Sequence, residues 1–129
     1  KANMLQSIFL RNNGNNTFTG IPLPMDAQVS ALQGIIPFDY DNDGKKDLLI
    51  AGNLYPFRVQ SGPLDASIGL VLKSDTAGQF RPVTYAQTGL LIEGDVRNLV
   101  QLKGKNSDLV IVARNDNKIE VLEMRTGKR

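Results

Sequence analysis

The 129-residue chain sets 15 Lys and Arg against 13 Asp and Glu for a net charge of +2, and 41% of its residues are hydrophobic, enough for the core of one ordinary domain. It holds neither cysteine nor histidine. Zinc sites built on those residues, Cys or Ser nucleophiles paired with His, and His general bases are therefore excluded within the chain, while the lack of disulfides leaves its compartment open.

Twelve Gly and six Pro, with few long helical periodicities, point to an all-β chain rich in turns. In chain order, residues 5–11 and 17–21 read as a hairpin whose turn is Asn12-Asn13-Gly14-Asn15-Asn16. Residues 22–34 contain two prolines and form a connection. A short strand at 35–38 enters an acidic loop, and 47–52 is the strand that leaves it. Residues 53–67, with Pro56, Gly62 and Pro63, lack periodicity and read as a long loop. A second hairpin follows at 68–73 and 79–85, with Asp75 and Gly78 in its turn. After a connection at 86–97, strands at about 98–102, 108–114 and 118–124 complete the pattern, the last pair turning at Asn115-Asp116-Asn117, and Thr126 to Arg129 reads as a frayed tail.

The acidic loop is the segment richest in chemistry. Phe38-Asp39-Tyr40-Asp41-Asn42-Asp43-Gly44-Lys45-Lys46-Asp47 places carboxylates at loop positions 1, 3, 5 and 9 and glycine at position 6. Oxygen ligands two residues apart, a sharp turn and a further acid suit a calcium ion, which collects six or more oxygens; position 7 is Lys45, whose backbone carbonyl would face the ion. Converging carboxylates repel and call for a counter-ion that lysines outside the loop supply only in part. The alternative is that Asp, Asn and Gly merely punctuate a turn. The loop is not an EF-hand, because position 12 is Ile50 instead of Glu and the flanks, with Pro37 before and Leu48-Leu49-Ile50-Ala51 after, read as strands.

The chain also resembles itself. Ile8-Phe9-Leu10-Arg11 with Thr17-Phe18 matches Leu70-Val71-Leu72-Lys73 with Gln79-Phe80 at an offset of 62 (8 to 70), and Asp47-Leu48-Leu49-Ile50-Ala51-Gly52-Asn53 matches Asp108-Leu109-Val110-Ile111-Val112-Ala113-Arg114-Asn115, with one extra residue, at 61 (47 to 108). Two matches at one period argue for a structural repeat. The continuous apolar runs are expected to be covered on both faces. Sheets repeated in this way and stacked face to face would give a propeller-like arrangement of four-stranded antiparallel sheets, with about two copies here. Such a segment has to be a piece of a longer protein or bury its open faces by self-association.

These residues resemble the FG-GAP or VCBS repeat family, the integrin-α type of propeller blade. The resemblance rests on Asp-x-Asp-x-Asp-Gly-x-x-Asp-Leu at Asp39 to Leu48 and on Gly-x-Phe at Gly78 to Phe80. It covers most of residues 5–124 as a partial blade (1–34), a full blade with the loop (35–85) and a degenerate partial blade (86–129). Residues Gly62 to Gly69 also look like a segment of large bacterial VCBS proteins, some with a domain labelled ASPIC/UnbV. The resemblance implies calcium held by Asp39, Asp41, Asp43 and Asp47 with the carbonyl of Lys45. It further implies a non-catalytic scaffold, extracellular or surface-attached (periplasmic or on the outer membrane if bacterial), that binds a protein or carbohydrate. Leu99 to Asp108 keeps only the last acid of the pattern, so no second metal is expected there.

Two other functions would draw on different residues. A polysaccharide-cleaving enzyme would draw its acid, base and anion-binding groups from Asp65, Glu93, Asp95, Tyr55 and Arg58, and needs two carboxylates about 5–10 Å apart. Nucleic-acid binding would use Lys118, Arg125, Lys128 and Arg129, but the basic residues are too scattered to indicate it, and Tyr55, Phe57 and Tyr85 read as packing residues rather than a stacking platform. No run approaches the roughly 18 apolar residues of a membrane helix. The chain starts at Lys1 without an apolar leader, so any targeting segment is expected outside it or removed.

Overall fold

A computed structural model describes residues 3–55, 62 and 64–125. Among the described residues, nine strands form three antiparallel sheets: β1 (Ile8–Gly14) with β2 (Thr17–Pro22); β3 (Leu32–Phe38), β4 (Asp47–Gly52), β5 (Leu70–Ser74) and β6 (Phe80–Val83) in that order; and β7 (Val96–Leu102), β8 (Asp108–Arg114) and β9 (Glu120–Met124). The only helical turns among the described residues are a 3-10 turn at Met25–Ala27 and the one-turn helix α1 (Tyr85–Thr88). No described helix is long and apolar enough to cross a membrane.

The middle sheet is covered on both sides, as its unbroken apolar strand β4 requires. One face brings Ile36, Phe38, Leu49, Ala51 and Val71 against Val96, Leu99, Val110 and Val112 of the third sheet. The other face brings Ile50 and Leu72 against Ala27, with Leu23, Leu70 and Phe80 around them. Phe9 of β1 meets Phe80 edge-to-face at 5.2 Å, and Arg11 donates to the Ala77 carbonyl, so the first hairpin lies over the β5–β6 half of that face. Full burial of Leu72 alone contributes about 2–3 kcal/mol.

The second and third sheets repeat one register. Ile35 pairs with Ile50 as Leu99 pairs with Val112, and both first strands slip by one residue at the matching place, between Leu32 and Gly34 and between Val96 and Asn98. Past the second strand, Asn53 N–H donates to Ala31 O (2.9 Å) as Asn115 N–H donates to Asp95 O (2.8 Å). The separation along β4 and β8 is therefore 62 (50 to 112). This corrects the sequence match by one residue: Asp47 corresponds to Leu109, not Asp108. Similar apolar runs cannot reveal such a slip, which swaps the faces of every side chain.

The strands differ from expectation mainly at their ends. β3 starts at Leu32, inside the expected connection, and β6 stops at Val83 because Thr84 opens α1. The apolar run of β8 is covered on one face only, leaving Leu109, Ile111 and Ala113 half-buried. The tail from Thr126 and most of the expected long loop, including Pro56 and Pro63, lie outside the described residues.

The close approach of β3 to β7 depends on Gly34. A Cβ there would lie 2.5 Å from Leu99 Cγ and 2.9 Å from the Leu99 backbone nitrogen. Gly34→Ala is expected to destabilise the fold by about 2–3 kcal/mol, as overpacking does, measured as a lower urea midpoint at unchanged slope. Combining it with Leu99→Ala should cost less than the sum of the two, because the side-chain part of the clash is removed only once.

Candidate metal centre

The loop from Asp39 to Asp47 joins β3 to β4 at one end of the middle sheet. Its turn rests on two left-handed residues, Asn42 (φ 59°) and Gly44 (φ 83°), a conformation that asparagine tolerates and glycine adopts freely. Asp39 braces that turn by accepting from the N–H groups of Asp43 (3.1 Å) and Gly44 (2.9 Å). Asp43 accepts from the N–H of Lys45 (2.9 Å) and pairs with its ammonium (3.1 Å).

Asp39, Asp41 and Asp43 each offer a carboxylate oxygen within 4.8 Å of the others. Two are half-buried and one is exposed. Lys73, at the end of β5, donates to Asp41 Oδ2, while Asp41 Oδ1 is buried with no hydrogen-bond partner. The Lys45 N–H, then its ammonium, hold the Asp43 carboxyl below its usual range. The bond to Asp41 raises Lys73. Three carboxylates therefore converge with one oxygen unpaired and two lysines as partial counter-charges, a donor set that fits a hard cation such as calcium.

Asp47 stands apart from the triad. It is fully buried, its Oδ2 accepting from Tyr40 N–H (2.9 Å) and its Oδ1 from Ser74 N–H (2.7 Å). One carboxylate thus ties the loop entrance to β5. The sequence reading placed Asp47 among the ligands but not in this tie, and it did not place Lys73 in the site. Pairing of Leu48 with Leu72 sets Lys73 and Ser74 beside Asp47, a signal that exists only once strand pairing is known.

The other sequence candidates are not part of this triad. Asp65 and Glu93 are exposed on connections and Tyr55 is exposed, whereas Asp95 is buried and paired with Arg97 (2.7 Å). Arg58 and Phe57 lie outside the described residues, as do Lys128 and Arg129. Lys118, Arg125 and Tyr85 are exposed. Asn53, not singled out from sequence, is fully buried and joins three segments. It accepts from Ser30 Oγ (2.8 Å) and Ser67 N–H (3.0 Å) and donates to the carbonyls of Ser67 (2.8 Å) and Gly94 (3.0 Å).

Set against models of known protein families, curated proteins and solved structures, the chain matches none.

Asp47 and Asp41 should separate in their effect on stability. Asp47→Ala strands one buried and one half-buried N–H group and is expected to cost about 2–5 kcal/mol, whereas Asp41→Ala in chelator should leave the denaturation midpoint nearly unchanged. Both are read by urea denaturation, and equal losses would mean that the triad itself holds the apo fold.

Proposed function

We propose that the chain is a calcium-stabilised, propeller-like β scaffold without catalytic activity, acting at a cell surface or outside the cell to bind a protein or carbohydrate. The observation that carries the metal role is the unpaired, buried Asp41 Oδ1 within a triad of converging carboxylates. Calcium would be held by Asp39, Asp41 and Asp43, with the Lys45 carbonyl completing the set implied by the resemblance. Asp47 would serve it from behind, by fixing the loop. In support of a stacked, propeller-like reading, two successive sheets share one register and pack face to face.

The ion's role is structural. Bound only by the folded loop, it would add its binding free energy to stability. Because Lys45 and Lys73 already offset part of the triad's charge, affinity should be modest, about 0.1–1 mM, in the range of extracellular calcium modules. For the ligand, the same end of the molecule offers a polar groove lined by Asp39, Asn42, Lys46, Lys103, Lys105 and Asp108. Alternating charges and amides of this kind suit a hydrophilic partner.

Calcium titration followed by thermal melting tests the reading. With 10 mM calcium, stability should rise by about 1.4–2.7 kcal/mol over chelator, or roughly 4–12 °C in Tm, and Asp43→Ala should abolish the rise. An identical Tm with and without calcium would remove the metal role. Lys73→Met frees Asp41 from its competing ammonium and is expected to tighten calcium binding about threefold to tenfold by calorimetry, since one like charge near the ion is removed.

A further inference from the structure

The third sheet presents an open apolar face. By the shared register, Ile36, Phe38, Leu49 and Ala51, which form the buried contact of the middle sheet, correspond to Val100, Leu102, Ile111 and Ala113. The first two of these later residues are exposed and the last two half-buried. Val121 of β9, paired with Ile111 and so on the same face, is 56% exposed. A surface whose counterpart one repeat earlier is covered by a β-sheet thus lies open.

The opposite end of the stack is open as well. Phe9 of the first hairpin faces the middle sheet, so its neighbour Leu10 and the cross-strand residue Phe18, 61% exposed, face away from it. Gly20 pairs with Leu10 on that outer side, and the side chains of Ile8 and Leu10 close over it, a Cβ there lying 3.5 Å and 3.9 Å from them. The two open faces point in opposite directions along the stack.

A standard interface removes about 800 Å² from each partner, and each end carries large exposed apolar side chains for such a contact to cover: Val100, Leu102 and Val121 at one, Leu10 and Phe18 at the other.

We propose that the chain associates with a second copy of itself head to tail, the Val100–Ile111–Val121 face of one copy docking on the Leu10–Phe18 face of the next. The contact continues the sheet-on-sheet interface already present between the middle and third sheets. It is heterologous, so each copy keeps one free face and addition does not stop at two unless the stack closes. Calcium plays no part in it, and its test is independent of the metal reading.

Sedimentation equilibrium from about 5 to 500 μM tests the proposal, with Val121→Glu and Phe18→Glu chosen because both side chains are more than half exposed and circular dichroism can verify that each variant folds. The wild-type mass should climb past twice that of the chain as concentration rises, and each variant alone should run as a species no larger than a monomer. Mixed in equal amounts, the two variants should form a dimer of twice the chain mass, because each retains the face the other lacks. A wild-type chain that stays monomeric throughout overturns the proposal. So does dimerisation of Phe18→Glu alone, which would show that the third sheet pairs with its own kind.

Discussion

The fold depends on the two-sided burial of β4. Leu49 and Ala51 face the third sheet while Ile50 faces the hairpin side, so neither neighbouring layer is optional. A strand with apolar residues on both faces cannot sit at a surface without exposing one set to water. Burial therefore dictates a stack of at least three layers, and the short period of the repeat supplies them from consecutive pieces of the chain. The tight passage of Leu99 over Gly34 follows from the same demand, since the layers can meet closely only where one of them has no side chain.

The acidic loop inherits its position from that core. Asp47 is the first residue of β4 and lies wholly inside, an arrangement that a lone carboxylate in apolar surroundings would not survive. Its two oxygens meet two backbone N–H groups, one from the loop entrance and one from the end of β5. Through this tie the register of β4 against β5 fixes where the loop begins, and Lys73 arrives beside Asp41 as a consequence. The triad is thus held from beneath by the sheet, while its own turn is held by Asp39 accepting from Asp43 and Gly44.

Much of this was visible in the residues alone, for identifiable reasons. β4 and β8 are found at 47–52 and 108–114, as read, because continuous apolar runs bounded by Asp and Asn or Gly leave few alternatives. The hairpin turn at Asn15-Asn16, both left-handed, follows from turn chemistry. α1 was missed although its signals are present: Gln87 accepts from the Thr84 N–H (3.1 Å), and the helix ends on Gly89 at φ 64°. With only four residues it shows no periodicity for a pattern search to detect. At the site, the three converging acids were legible from spacing, whereas Lys73 and the inward role of Asp47 come from pairing between β4 and β5, which a linear pattern does not encode.

The two repeats show which part of the pattern physics protects. Register, bulge and the hydrogen bond closing each second strand recur, because each is needed to keep successive faces matched. Loop chemistry is freer: between β7 and β8 the chain carries Lys103 and Lys105 where the earlier loop carries carboxylates. The substitution puts basic side chains along the groove that Asp39 also lines, so acids and ammonium groups adjoin at one end of the stack. An ion in the triad would cancel negative charge there and leave the lysines to dominate the groove's potential. Calcium, if bound there, would then alter what the groove attracts as well as how firmly its wall is held, and would tie the proposed metal to the proposed recognition without any change of fold.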